Sequence, residues 1–242
     1  MTLQELEQKF TDLGARMPAS PEKQAISLLH AMVQELWRQM GRAAGSPAGD
    51  PGSGIESIAN LYRHAPKMEA PARRKGLPAG RRAPDFALPD AQGRTVRLSD
   101  YRGAPLVLVF YPLDWSPGCS VQLDLYSEDL DQFTARGARI VAISIDSLYS
   151  HGAWAAVRGI RFPLLADFNP KGDVANRYEV YRAEDGFSER AVYVIDGAGT
   201  IQYSYVSPFL HHVPDIHDLF DALDRLDEVR DRASRPVGAG KE

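Results

Sequence analysis

The 242 residues contain a single cysteine, Cys119, and its neighbours are of the kind that make a thiol reactive. It lies in YPLDWSPGCS (111–120), directly after the apolar run LVLVFY (106–111). Ser116 is a good helix cap and Pro117 a good first helical residue, so the spacing places Cys119 in the first turn of a helix. Unpaired backbone N–H groups and the positive end of the helix dipole both favour thiolate there, and the thiolate is the nucleophile. Position alone leaves two readings open, because a lone cysteine is often an inert packing residue. One thiol does exclude an intramolecular disulfide, a CxxC redox pair, a zinc ribbon and a Cys-ligated iron–sulfur cluster within this chain.

A nucleophile placed this way needs a rigid sheet behind it, and the second part of the chain supplies the pattern. LVLVFY (106–111) and IVAISI (140–145) are continuous, β-branched and apolar, as strands buried on both faces should be. Between them residues 117–135 read as one helix, and a second helix is expected over 148–158. RFPLLAD (161–167) reads as a short strand. AVYVI (191–195) and TIQYSYV (200–206) form a hairpin across Asp196-Gly197-Ala198-Gly199. An earlier hairpin, PDFALPDAQGRTVRLSD (84–100), turns at Asp90-Ala91-Gln92-Gly93. A last helix follows Pro214, with Ile216, Leu219, Phe220, Leu223 and Leu226 on one side. This order describes an α/β sandwich of the thioredoxin type.

The first part of the chain has a different character. Leu3, Leu6, Phe10 and Leu13 share a helical face, and residues 21–40 carry a broad apolar stripe from Ala25 to Met40. The stripe reads as core or as a dimer contact, and a homodimer is expected. AAGSPAGDPGSG (43–54) has linker composition, and residues 55–64 form a third short helix with capping-box spacing between Ser53 and Glu56. Between Ala65 and Ala83 the chain is rich in proline and in basic residues. A solvated linker is the simpler reading, since a phosphate or nucleic-acid patch needs aromatic neighbours and more charge. The expected division is a helical N-terminal extension (1–64), a Pro/basic linker (65–81), an α/β domain (82–230) and a flexible tail (231–242).

Hydrophobic residues at 44% and charged residues at 25% fit a globular protein. The net charge of −4 gives no bulk drive toward nucleic acid or anionic membrane. No stretch approaches the roughly 18 apolar residues of a membrane span. MTLQELEQKF lacks a basic segment followed by an apolar one, so no secretory leader is expected. A lone thiol without a leader fits the reducing cytoplasm.

Pro112, Ser116 and Cys119 have the spacing P-x-x-x-(T/S)-x-x-C, which resembles the active-site motif of the peroxiredoxin (AhpC/TSA-like) family. RRAPDFALPDAQGRTVRLSDYRGAPLVLVFYP (81–112) is similar to the stretch leading into that motif, and SERAVYVIDGAGTI (188–201) to the strand that carries the family's arginine, here Arg190. The resemblance covers about residues 82–228 and leaves residues 1–80 outside it. It implies a thioredoxin-like fold and a thiol-dependent peroxidase acting on hydrogen peroxide or organic hydroperoxides. Cys119 would be the peroxidatic nucleophile. Ser116 would hydrogen-bond thiolate and peroxide, with the N–H of Cys119 beside it. Pro112 would shield the sulfur, and Arg190 would hold the thiolate and orient the peroxide. With no second cysteine, the chain resembles the one-cysteine mechanistic type. Its sulfenic acid would then be resolved by an external thiol: glutathione-like, or a thioredoxin- or glutaredoxin-like protein. No cofactor and no metal are required.

Two departures stand out. The family usually has threonine at Ser116, and many members have glutamate at Gln122; an amide hydrogen-bonds but offers no negative acceptor. HHVPDIH (211–217) suggests a metal site, but Pro214 interrupts it and no second cluster supports it. A Cys–His hydrolase lacks a matching context around Cys119. Trp115 either walls the pocket or simply packs. The rival reading from another class is a non-catalytic thioredoxin-like redox sensor or binding module that relays oxidation to a partner.

Overall fold

Leu106–Phe110 is buried along its whole length and forms the middle strand of a five-stranded sheet. The computed structural model describes residues 69–234. The helices expected over 2–15, 21–40 and 55–64, the linker at 43–54 and the tail beyond Ser234 lie outside the described residues.

The first strands of the described part form the hairpin β1 (Ala87–Pro89) and β2 (Thr95–Arg97), turning at residues 90–93 as its sequence dictates. A 3₁₀ turn over Leu98–Tyr101 leads to β3 (Leu106–Phe110). Helices α1 (Pro117–Glu128) and α2 (Leu130–Ala135) come next, then β4 (Arg139–Ser144), α3 (Leu148–Arg158) and β5 (Leu164–Ala166). A short helix α4 (Asp173–Arg177) precedes a small hairpin of β6 (Tyr181–Arg182) and β7 (Phe187–Ser188). β8 (Ala191–Ile195), β9 (Ile201–Val206) and α5 (Ile216–Ser234) complete the described part. The main sheet runs β5-β4-β3-β8-β9. β3, β4 and β5 are parallel, and β8 is antiparallel to both β3 and β9.

Alternation along the central strands sorts side chains onto two apolar layers. Val107, Val109, Val192 and Val194 face Cys119, Leu123, Phe133, Trp154, Leu219 and Leu223 from α1, α2, α3 and α5. Leu106, Leu108, Phe110 and Tyr193 face Leu77, Phe86, Val174 and Tyr178 on the other side. This is the thioredoxin-like α/β arrangement that the strand and helix order implies.

The structure departs from the sequence-based expectation at several points. The helix expected over 117–135 breaks at Asp129, whose N–H closes α1 onto Leu125 and whose carbonyl accepts from Gln132 as α2 begins. No glycine or proline marks the break, and Tyr126 and Phe133 keep facing the same core across it. The strand expected over 161–167 shrinks to Leu164–Ala166, because Pro163 has no N–H to add to the ladder. α4, β6 and β7 are too short for periodicity to reveal. α5 runs to Ser234, four residues into the expected tail.

The largest correction concerns the Pro/basic stretch: from Ala70 it is not a solvated linker. Pro71 bridges Phe209, Ala72 N–H donates to Pro208 O, and Leu77 N–H donates to Tyr178 O. Gly80 and Arg81 pair with Ile201, and Leu77 is buried. Gly76 has φ 69°, and an added Cβ there would lie 2.5 Å from the Tyr193 hydroxyl, so only glycine fits. Basic side chains concealed this packing: the backbone forms most of the contacts, while Arg73 and Arg74 pair with Glu184 and Asp185 at the surface.

Candidate active site

The ladder of β3 is extended by Tyr111 N–H to Ile143 O and stops at Pro112, which is buried and has no donor. The chain then turns through residues 113–116. Trp115 takes φ 62°, a left-handed conformation that a bulky residue holds only where its surroundings fix it. Ser116 is extended (φ −71°, ψ 144°) and caps α1, with Pro117 as first helical residue. Its Oγ accepts the Cys119 N–H at 3.4 Å, a long bond that leaves the hydroxyl proton free to donate elsewhere. Cys119 itself is completely buried.

Arg190 comes from the head of β8 and is also completely buried. Its Nε donates to Leu210 O at 2.8 Å, its Nη1 to Gln122 Oε1 at 2.5 Å and its Nη2 to Cys119 Sγ at 3.4 Å. These acceptors fix the plane of the guanidinium. A carbonyl and an amide contribute only dipoles, so among these contacts the sulfur, as thiolate, is the group that can carry full negative charge. Gly118 makes room: an added Cβ would stand 2.9 Å from Arg190 Nη2. Gln122 Nε2 donates to the Tyr126 hydroxyl at 3.3 Å. Burial pushes that phenol well above its ordinary pKa, against the pull of Gln122 and Arg190, and so keeps it a neutral acceptor.

The turn before Ser116 is held from α3. The Asp114 carboxylate accepts from Tyr111 OH at 2.8 Å, Ser150 Oγ at 2.7 Å and His151 Nδ1 at 2.9 Å. Ser150 Oγ in turn accepts from Trp115 Nε1 at 3.2 Å. Asp114 N–H donates to Asp146 Oδ2 at 2.9 Å. Burial, followed by the charge of Asp114, raises the Asp146 carboxyl above its ordinary value, partly offset by that N–H and the Ser144 hydroxyl. Behind Arg190, Glu189 pairs with Arg182 at 3.0 Å with both side chains fully buried, and Arg73 and Arg74 N–H donate to its Oε1 at 2.7 and 3.0 Å.

Of the residues singled out from the sequence, Ser116 and Arg190 both meet Cys119, the serine at its N–H and the arginine at its sulfur. Pro112 stands at the end of β3, outside the hydrogen-bonded set. Gln122 proves to be an acceptor for the arginine. Its i, i+4 relation to Tyr126 was readable on a helix face, whereas the Leu210 carbonyl, His151 and Glu189 carried no sequence signal. Among the described residues no group of three or more His, Cys, Asp or Glu is placed to hold a metal ion. His211 instead stacks near Phe209, with ring centroids 5.7 Å apart. No helix among the described residues is long and apolar enough to cross a membrane.

Comparison with known proteins gives a consistent result. The AhpC/TSA family model matches residues 79–204. Alkyl hydroperoxide reductase E of Mycobacterium tuberculosis is 37% identical over 129 residues, covering 53% of this chain and 84% of the relative. Thioredoxin peroxidase of Echinococcus granulosus is 34% identical over 161 residues, covering 62% and 82%. The crystal structure of peroxidoxin BcpB from Mycobacterium tuberculosis superposes with a TM-score of 0.56 at 31% identity, over 64% of this chain and 99% of that one.

Proposed function

The chain belongs to the AhpC/TSA family, and on that premise we propose how its residues carry out thiol-dependent peroxide reduction. The activity is that of a peroxiredoxin. The Cys119 thiolate attacks the terminal oxygen of a peroxide, HO–OR. An S–O bond forms as the O–O bond breaks, leaving Cys119 sulfenic acid and an alkoxide or hydroxide that takes up a proton. Arg190 and the Ser116 hydroxyl are the donors proposed for the reacting oxygens, stabilising the charge that moves onto the leaving one. Pro112, buried where β3 ends, is the residue assigned to keep water from the sulfur.

The observation that carries this reading is Arg190 Nη2 at 3.4 Å from a fully buried Cys119 Sγ. A relay protein that oxidises slowly has no need to bury an arginine against its thiol, so this contact favours the peroxidase over the sensor.

The 242 residues hold one cysteine, so the sulfenic acid is resolved by an external thiol. That thiol forms a mixed disulfide and water, and a second thiol releases Cys119. A glutathione-like thiol or a thioredoxin- or glutaredoxin-like protein fits this role. The need for a steady thiol supply supports a reducing, cytoplasmic setting. A homodimer is the assembly proposed, on the ground of the broad apolar stripe that the sequence carries from Ala25 to Met40. Peroxide consumption with and without an added thiol tests the cycle. The parent protein should turn over only with thiol, and Cys119→Ser not at all.

A further inference from the structure

Arg190 hangs from one loop. Its Nε donates to Leu210 O at 2.8 Å, and its own carbonyl accepts from Ser207 N–H at 2.9 Å. Residues 207–210 are held in turn by the segment just upstream of the family match. Ala72 N–H donates to Pro208 O at 2.8 Å, Leu210 N–H donates to Ala70 O at 3.0 Å, and Pro71 and Phe209 form an antiparallel bridge between them. The next two N–H groups, of Arg73 and Arg74, converge on Glu189 Oε1, the residue before Arg190. Arg182 Nη1 closes the set by donating to Pro71 O and to Glu189.

We propose that Ala70–Arg74 is a strap that positions Arg190, acting through the Leu210 carbonyl on one side and the Glu189 carboxylate on the other. It touches neither sulfur nor peroxide. Its backbone fixes the two places from which the arginine is hung, and the guanidinium reaches Cys119 only from there. The side chains of Arg73 and Arg74 reach Glu184 and Asp185 at the surface, and Arg74 Nε donates to Tyr181 O at 3.0 Å, but the bonds to Glu189 and Pro208 come from main-chain donors. The inference rests on Arg190 acting at Cys119 as proposed above.

The test uses the full chain and the rate of the first peroxide reaction at Cys119. Ala72→Pro deletes the N–H to Pro208, and Ala72→Gly keeps it. Ala72→Pro should slow the reaction about tenfold to a hundredfold, the size expected for a misplaced reacting group, and Ala72→Gly should stay within about twofold of the parent. In an Arg190→Ala background, Ala72→Pro should have no further effect, a coupling that general loosening would not produce. Arg73→Pro, compared with Arg73→Ala, repeats the test on the Glu189 side and decides it should Ala72→Pro fail to fold. Parent rates in the folded proline variants, or an equal loss with and without Arg190, would overturn the strap. A parent protein that does not react with peroxide would instead overturn the proposed function.

Discussion

Arg190 Nη2 lies 3.4 Å from Cys119 Sγ, across 71 residues of sequence, because α1 follows the central strand β3 and β8 is that strand's antiparallel neighbour. Phe110 pairs with Ala191, so the end of β3 that leads toward α1 meets the start of β8. The helix cap and the arginine are therefore brought together by the register of the sheet.

Arg190→Ala should slow peroxide attack by two to three orders of magnitude, about 3–4 kcal/mol for one lost transition-state donor. It also strips the Leu210 carbonyl and Gln122 of their donor, at about 1–3 kcal/mol of stability for a buried acceptor left alone. Arg190→Lys keeps the charge but cannot serve three acceptors in one plane, so it should recover only part of the rate. Stopped-flow peroxide kinetics and a denaturant midpoint measure the two effects separately.

Gly118→Ala should slow the reaction while leaving the protein folded. The new Cβ would sit 2.9 Å from Arg190 Nη2 and must push the guanidinium off the sulfur, whereas alanine suits the first turn of a helix better than glycine. A slower variant with no net gain in stability is the expected pair of results, because the helix gain of about 0.5–1 kcal/mol is offset by the disturbed Arg190 hydrogen bonds. An unchanged rate would mean that the arginine yields without loss.

Asp146→Asn should stabilise the protein near neutral pH and lose that advantage on acidification. Burial first, and the Asp114 charge second, hold the Asp146 carboxyl above its ordinary 3.8. The folded state therefore binds the proton more tightly than the unfolded chain does. The resulting stabilisation is complete below the unfolded value and is lost as pH rises through the folded one. Asparagine keeps an acceptor oxygen for Asp114 N–H without the charge. Denaturant midpoints at pH 7 and below pH 4 should show the difference close.

The alternation that builds both cores, the two hairpin turns and the Ser116–Pro117 start of α1 were legible because each is a local signal of period, turn chemistry or cap. Cys119 was legible through its motif, and Arg190 through the strand it heads. The acceptors that aim the arginine were not: Leu210 acts through its carbonyl, which every residue possesses. The Asp114–His151 pair exists only because α3 folds back on the turn before Ser116. The strap at 70–74 was hidden for the same reason, since its bonds to Glu189 and Pro208 are main-chain and its side chains read as solvent. Sequence reveals side-chain pattern, and this site is aimed largely by backbone.

The most direct test of the account is the intact mass of the protein after one equivalent of hydrogen peroxide, with the modified residue located by peptide mapping. The parent should gain one oxygen, on Cys119, and return to its starting mass when thiol is added. Cys119→Ser should gain none, and excess peroxide without thiol should carry Cys119 to the two-oxygen sulfinic acid. An unmodified Cys119 alongside continued peroxide loss in the absence of thiol would contradict the account.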